Sequence, residues 1–316
     1  MPLEPQDIEQ RREAAASLVN VARAFVADVV QPVAAALDRH VDPQDCFSWD
    51  IVEEGSRRGL RTLTLLPEYG GAGADCVTTA LVVEEIAKGD MGVAVVFAQT
   101  LKLIQSLQAA ATAEQRTRFL PMLRDDPRAL MAIGMTEPQT ASNYIIPYAA
   151  AGFVTRATRA GDGWVLNGRK RFISNGSVAD LVFVYARDPG SKRHEGLSCF
   201  AVPKGTPGFT VTKVETTTKL GLRASPTADL AFEDCRVPEA NLVGKRGNGW
   251  DQAMRTLNSG RLGIAAGAVG VARAALEAAT KYVQERKAFG RLIGDFQLIR
   301  EMIAESATEI DRKSVV

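Results

Sequence analysis

The sequence predicts an α+β fold in three parts: an N-terminal helical bundle, a central antiparallel β-barrel or sandwich, and a C-terminal helical bundle. Three observations predict it. Apolar residues recur with a helical period up to about position 125; between about 130 and 238 the pattern becomes short apolar runs separated by Gly, Pro and Asp; after "GKRGNGW" the helical period returns. With 316 residues, 46% of them hydrophobic, the chain can bury a sizeable core and exceeds one small domain. The boundaries are placed at 1–127, 128–240 and 241–316.

In the first part Leu18, Ala22, Phe25, Val29 and Val33 fall on one helical face. Pro32 predicts a break in that stripe, because proline lacks an N–H and crowds the carbonyl four residues back. Thr112 followed by Gln115 reads as a capping box opening a helix through Arg116 and Phe119. The segment "PEYGGAG" at 67–73 is turn material, a connector rather than a phosphate loop, since no strand precedes it. In the second part "WVLNG", "ADLVFVYA", "LSCFAVP", "FTVTKVE" and "ADLAFEDCRVP" read as strands, with turns at "AGDG" and "KGTPG". In the third, Gly263, Ala266, Gly267 and Gly270 put small side chains on neighbouring faces of a long helix, so another helix can approach closely. Gly244, Gly247 and Gly249 have G-x-x-G-x-G spacing without a βαβ unit and read as a connector into that helix.

Composition narrows the function. The 38 basic and 37 acidic residues are interspersed and leave a net charge of +1, which offers no footprint for nucleic acid or an anionic membrane surface. Cys46, Cys76, Cys199 and Cys235 lack C-x-x-C spacing, and His40 and His194 stand alone, so neither a metal cage nor a disulfide framework is expected. The densest apolar run, from Met91 to Ile104, is read as too short for a membrane span and is interrupted by Gln99 and Lys102. The N-terminus lacks the basic start and apolar centre of a signal peptide. The expectation is a soluble cytoplasmic chain with reduced thiols and no metal.

Candidate chemistry lies at "MTEPQTASN" and, one hairpin later, "NGRKRFISNG". Thr136, Ser142 and Ser174 supply hydroxyls beside extended or turn backbone, which can hydrogen-bond the polar edge of a planar heterocycle while Phe172 covers its face. Taken singly, each also fits a turn cap or a surface hydroxyl.

Together these stretches resemble the acyl-CoA dehydrogenase family, whose flavin-contacting segments have the forms T-E-P-x-A-G-S-D and N-G-x-K-x-W-I-T-N-G. The resemblance spans nearly the whole chain, through "PEYGGAGAD", "KLGLRASPTADLAFEDCRVPEANLVG" and the two long helices from "GNGWDQAMRTLNSGRLG" to "ERKAFGRLIGDFQ". It implies FAD as cofactor, with Thr136 and Ser174 on the ring's N5 and carbonyl edge, Phe172 against the ring where relatives usually have Trp, and Ser142 toward the pyrophosphate. Arg286, Phe289 and Gln297 would hold the adenosine diphosphate part of FAD bound by a neighbouring subunit, which implies a homodimer or homotetramer. Arg261 would lie near the thioester, with Leu257 and Asn258 on the coenzyme A side. The implied reaction is removal of an α-proton by a carboxylate and of a β-hydride by FAD, giving a 2-enoyl-CoA, with electrons passed to an electron-transfer flavoprotein-like acceptor.

The chain departs from that pattern in several places. "AGSD" reads Thr140-Ala141-Ser142-Asn143, an apparent insertion "YIIPYAA" follows, and Ala288 stands where many relatives have Thr, a loss of one hydrogen bond worth about 1 kcal/mol. The insertion suggests an unusual acyl group. Relatives place the catalytic Glu either just before the Arg of the first long helix, which is Gly260 here, or far downstream. The base is therefore expected beyond Val316, and the chain is expected to be C-terminally truncated and inactive as it stands. Its final helix, with a stripe at Phe296, Ile299, Ile303 and Ile310, meets no stop signal, and residues 311–316 translate a common sequencing-adaptor oligonucleotide. Two rivals stay open: the same fold used for flavin monooxygenase or acyl-CoA oxidase chemistry, and a non-catalytic partner subunit.

Overall fold

The computed structural model describes residues 5–141, 152–191, 194–215 and 219–313, with side chains from Arg12 onward. Ser142, Asn143 and the "YIIPYAA" insertion lie outside the described residues. Six helices come first: α1 (Pro5–Phe25), α2 (Gln31–Leu37), α3 (Trp49–Arg57), α4 (Cys76–Gly89), α5 (Met91–Ala110) and α6 (Ala113–Asp125). The break near Pro32 takes the form of a π-helical turn, Val26–Val30, in which the Gln31 amide donates to the Val26 carbonyl. That wider turn accommodates the proline and rotates the stripe, so that Ala22, Phe25, Val26 and Val30 are buried while Val33 is exposed. The capping box forms in both directions, Gln115 N–H to Thr112 Oγ1 at 3.2 Å and Thr112 N–H to Gln115 Oε1 at 3.1 Å.

The Met91 to Ile104 run is part of a 20-residue helix, so the expectation that it is too short for a membrane span is corrected. Apolar composition faded after Ile104, but the helix continues to Ala110 because Leu107 still packs inward. Three helical stretches, Arg12–Leu37, Met91–Ala110 and Gly249–Val283, are long and apolar enough to cross a membrane by length and composition. In α5 that apolarity is used internally: Ala94, Phe97 and Leu101 meet α1, α3 and α4, while Leu103, Ile104 and Leu107 meet α6 and the sheet.

The predicted strands form one eight-stranded sheet: β1 (Met131–Gly134), β2 (Arg156–Ala160), β3 (Gly163–Ser174), β4 (Leu181–Arg187), β5 (Leu197–Pro203), β6 (Phe209–Val214), β7 (Thr227–Pro238) and β8 (Leu242–Val243). Its order is β6-β7-β3-β2-β4-β5-β8, with β1 also on β4. The sheet is mixed, and among the described residues it does not close, so the antiparallel barrel is corrected to an open sheet. The reason is β4, which takes β1 and then β2 in parallel along the same edge, Met131↔Leu181 to Gly134↔Val184 and then Arg156↔Arg187. Strand period reveals alternation but not pairing direction. β4 is buried on both faces: Leu181, Phe183 and Tyr185 face the helices, and Val182, Val184 and Ala186 face the layer with β3 and β7.

The 35-residue α7 (Gly249–Val283) lies along α4 and α5. A Cβ on Gly270 would run into the Glu84 carbonyl oxygen, and one on Gly267 would lie 2.7 Å from Met91 Sδ, so these glycines set the close approach. Arg273 clasps Glu84 at 2.5 Å across the same contact. A short hairpin, β9 (Lys287–Ala288) with β10 (Arg291–Leu292), leads into α8 (Gln297–Lys313), of which no described residue is fully buried.

Candidate functional site

Because β1 and β2 follow one another along β4, the Thr136-Glu137-Pro138 segment leaves the sheet between them. It is fastened by a buried charge. The Glu137 carboxylate accepts from the amides of Val154 (2.6 Å) and Thr155 (3.1 Å) and from the fully buried Lys170 ammonium (2.7 Å). Burial alone would push the Glu137 carboxyl up; the Lys170 charge and these hydrogen bonds overcome that and hold it below the ordinary carboxylate value.

Lys170 is also where β3 loses register with β7, resuming at Ile173. In that bulge Phe172 adopts φ +57°, a left-handed conformation costing about 1–2 kcal/mol for a residue with a Cβ, and its ring is 54% exposed. The Phe172 amide donates to Asp229 Oδ1 at 3.1 Å, and the Arg171 amide donates to the Thr136 carbonyl at 2.9 Å. Thr136 and Phe172 are thereby brought together, with the half-buried Ser174 two residues on. Asn175, buried at φ +61°, ties the end of β3 to α5 and β1 by donating to the carbonyls of Val96 (3.1 Å) and Met131 (3.3 Å). An outward aromatic face beside two hydroxyl-bearing positions suits a planar ring with a polar edge.

A cavity of about 430 Å³ opens between α5 and α7, lined by Lys102, Gln105, Ser106, Gln252, Arg255, Thr256 and Ser259 among others. Its walls are joined by Thr256 Oγ1–H to Ser106 Oγ at 2.8 Å and Ser259 Oγ–H to Gln105 Oε1 at 3.1 Å. Gly260 packs on the lysine: a Cβ there would sit 2.8 Å from Lys102 Cδ and 3.3 Å from Nζ. Burial pushes the Lys102 ammonium down to about 8. Leu257 packs on the core beneath α7, while Arg261 and Asn258 are exposed and joined by an Arg261 Nη1–H bond to Asn258 Oδ1.

Arg286, Phe289 and Gln297 fall elsewhere, on the exposed β9–β10 hairpin and the start of α8. Phe289 is 96% exposed at φ +52°, with its ring edge-on to Phe296 at 6.4 Å. The sequence reading missed Lys102, Lys170 and Asn175 as site-forming residues. For Lys102 a signal was present, a charge interrupting an apolar run; for the other two the pairing partners are distant in sequence.

Family models for the N-terminal, middle and C-terminal domains of acyl-CoA dehydrogenase match residues 12–126, 132–235 and 247–313. The chain is 37% identical over 291 residues to the short-chain specific acyl-CoA dehydrogenase of Clostridium acetobutylicum, covering 92% of this chain and 73% of that one. It superposes with a TM-score of 0.86 on a chain in the structure of the electron transferring flavoprotein of Acidaminococcus fermentans, at 36% identity over 95% of this chain and 76% of the other. A glutaryl-CoA dehydrogenase from Mycobacterium smegmatis in complex with FADH2 gives a TM-score of 0.83 at 30% identity, covering 98% and 74%. The chain therefore belongs to the acyl-CoA dehydrogenase family, FAD-dependent oxidoreductases acting on the CH–CH bond of acyl-CoA thioesters.

Proposed function

We propose that this chain forms the flavin and thioester sites for oxidising an acyl-CoA to its 2-enoyl-CoA, with electrons leaving to an electron-transfer flavoprotein-like acceptor. The observation that carries the reading is the β3 bulge, where backbone strain is maintained to present Phe172 beside Thr136 and Ser174. Thr136 and Ser174 hydrogen-bond the ring edge and Phe172 covers its face; Ser142 serves the pyrophosphate. FAD, when bound, supplies the hydride-accepting chemistry. Arg286, Phe289 and Gln297 serve the adenosine diphosphate half of FAD in a neighbouring copy, which their exposure leaves accessible, in a homodimer or homotetramer. The thioester lies by Arg261, Leu257 and Asn258, and the acyl group enters the cavity between α5 and α7. The protein works in the cytoplasm, its three parts meeting near residues 127 and 240.

The test is spectroscopic. FAD is titrated into apoprotein and butyryl-CoA is then added anaerobically. The reading expects saturable FAD binding at one flavin per chain and a shift of the flavin absorbance bands, without bleaching, when the ester binds beside the ring. Bands that do not respond to any acyl-CoA sink it.

A further inference from the structure

The cavity between α5 and α7 has an unusual charge balance. Among the described residues three cationic ones line it, Lys102, Lys245 and Arg255, and no Asp or Glu does. Lys245 and Arg255 are exposed at its rim; Lys102 is half-buried in the cavity wall, its stem against Gly260. Three more deeply buried charges are compensated. Lys170 has Glu137, Glu84 has Arg273, and the Arg61 guanidinium donates to the carbonyls of Leu123, Asp126 and Ala129. On the Lys102 ammonium desolvation acts with no carboxylate to offset it. A cation that is partly desolvated without a counter-charge carries a cost, and its placement in a cavity wall leaves room for an incoming anion to neutralise it.

We propose that this cavity receives a carboxylate carried on the acyl group of the thioester, with the Lys102 ammonium as its counter-charge and the Ser106 and Thr256 hydroxyls beside it. The proposal rests on the reading of α5 and α7 as the acyl-binding walls and adds the substrate class. Gly260 is part of the device: a Cβ there would sit 2.8 Å from Lys102 Cδ and make the lysine shift, so glycine leaves it room in the cavity wall. A phosphate of coenzyme A shares the anionic chemistry, but the rim cations Lys245 and Arg255 are the accessible partners for it.

Calorimetry on the FAD-loaded protein compares glutaryl-CoA with pentanoyl-CoA, esters of equal carbon number that differ in the terminal carboxylate. We expect glutaryl-CoA to bind at least tenfold more tightly, and Lys102→Met to bring the two within about twofold while pentanoyl-CoA keeps its affinity. Pentanoyl-CoA binding the unmodified protein as tightly as glutaryl-CoA overturns the proposal without use of the variant, and leaves the acyl-CoA reading standing. Free CoA losing as much affinity in Lys102→Met as glutaryl-CoA also overturns it, because the anion is then the coenzyme's phosphate. If no CoA species binds, both the reading and the proposal fall.

Discussion

Glu137 and Lys170 illustrate how a motif residue can be structural. Glu137 sits inside the flavin-type motif, yet its carboxylate is spent on the Val154 and Thr155 amides and on Lys170, both side chains being fully buried. Glu137→Gln would strand the ammonium in a dry site, and a loss of about 3–5 kcal/mol in urea unfolding is expected. The pH dependence has a definite sign. Glu137 titrates below its ordinary value when folded, so its contribution is complete above the unfolded pKa and is lost as pH falls through the folded one. Unfolding followed from pH 7 to pH 3 should therefore show a flatter acid limb in Glu137→Gln than in the unmodified protein. Thr136, Phe172 and Ser174 were singled out because local motifs carry them, and the structure brings Thr136 and Phe172 together through the Arg171 amide. Lys102 was visible only as a blemish in an apolar run, since what gives it meaning is Gly260, more than 150 positions later.

Helices were the more readable elements. The capping box at Thr112 and the small-residue stripe of α7 are local codes, and both describe the contacts found. The bundle's tightest point is Gly270 against the Glu84 backbone, where a carbonyl cannot give way as a flexible side chain could. Gly270→Ala should cost about 1–3 kcal/mol of stability by overpacking, read as a lower urea midpoint with unchanged slope. A midpoint within error of the parent would mean that α4 and α7 separate easily. Strand positions were equally legible, but the parallel placement of β1 and β2 on β4 was not. Neither strand is joined to β4 by a hairpin turn, and nothing in their alternation encodes a partner 31 or 50 residues away.

On the scale of the whole molecule, the exposed hairpin around Phe289 is the surface that the proposed function assigns to a neighbouring copy. The proposal that Arg286 reaches a neighbour's cofactor predicts that flavin retention and assembly are linked. Arg286→Glu should weaken FAD binding at least tenfold and shift the mass measured by light scattering toward smaller species, with the β-domain fold unchanged by circular dichroism. Retained FAD affinity in a fully dissociated variant would separate the two and remove Arg286 from the cofactor site. The proposed site residues are distributed over a sheet bulge, a helix pair and a distant hairpin, so no single stretch of sequence carries them all.

The tandem seating of β1 and β2 on one edge of β4 has an evolutionary consequence. β1 is registered by β4 and β2 chiefly by β3, so the length of chain joining them is not dictated by the sheet. Doubling such a connection costs only about 0.6 kcal/mol in closure entropy. Selection can therefore lengthen that connection while the frame on either side, fastened by the Glu137 carboxylate on the Val154 and Thr155 amides, stays constant.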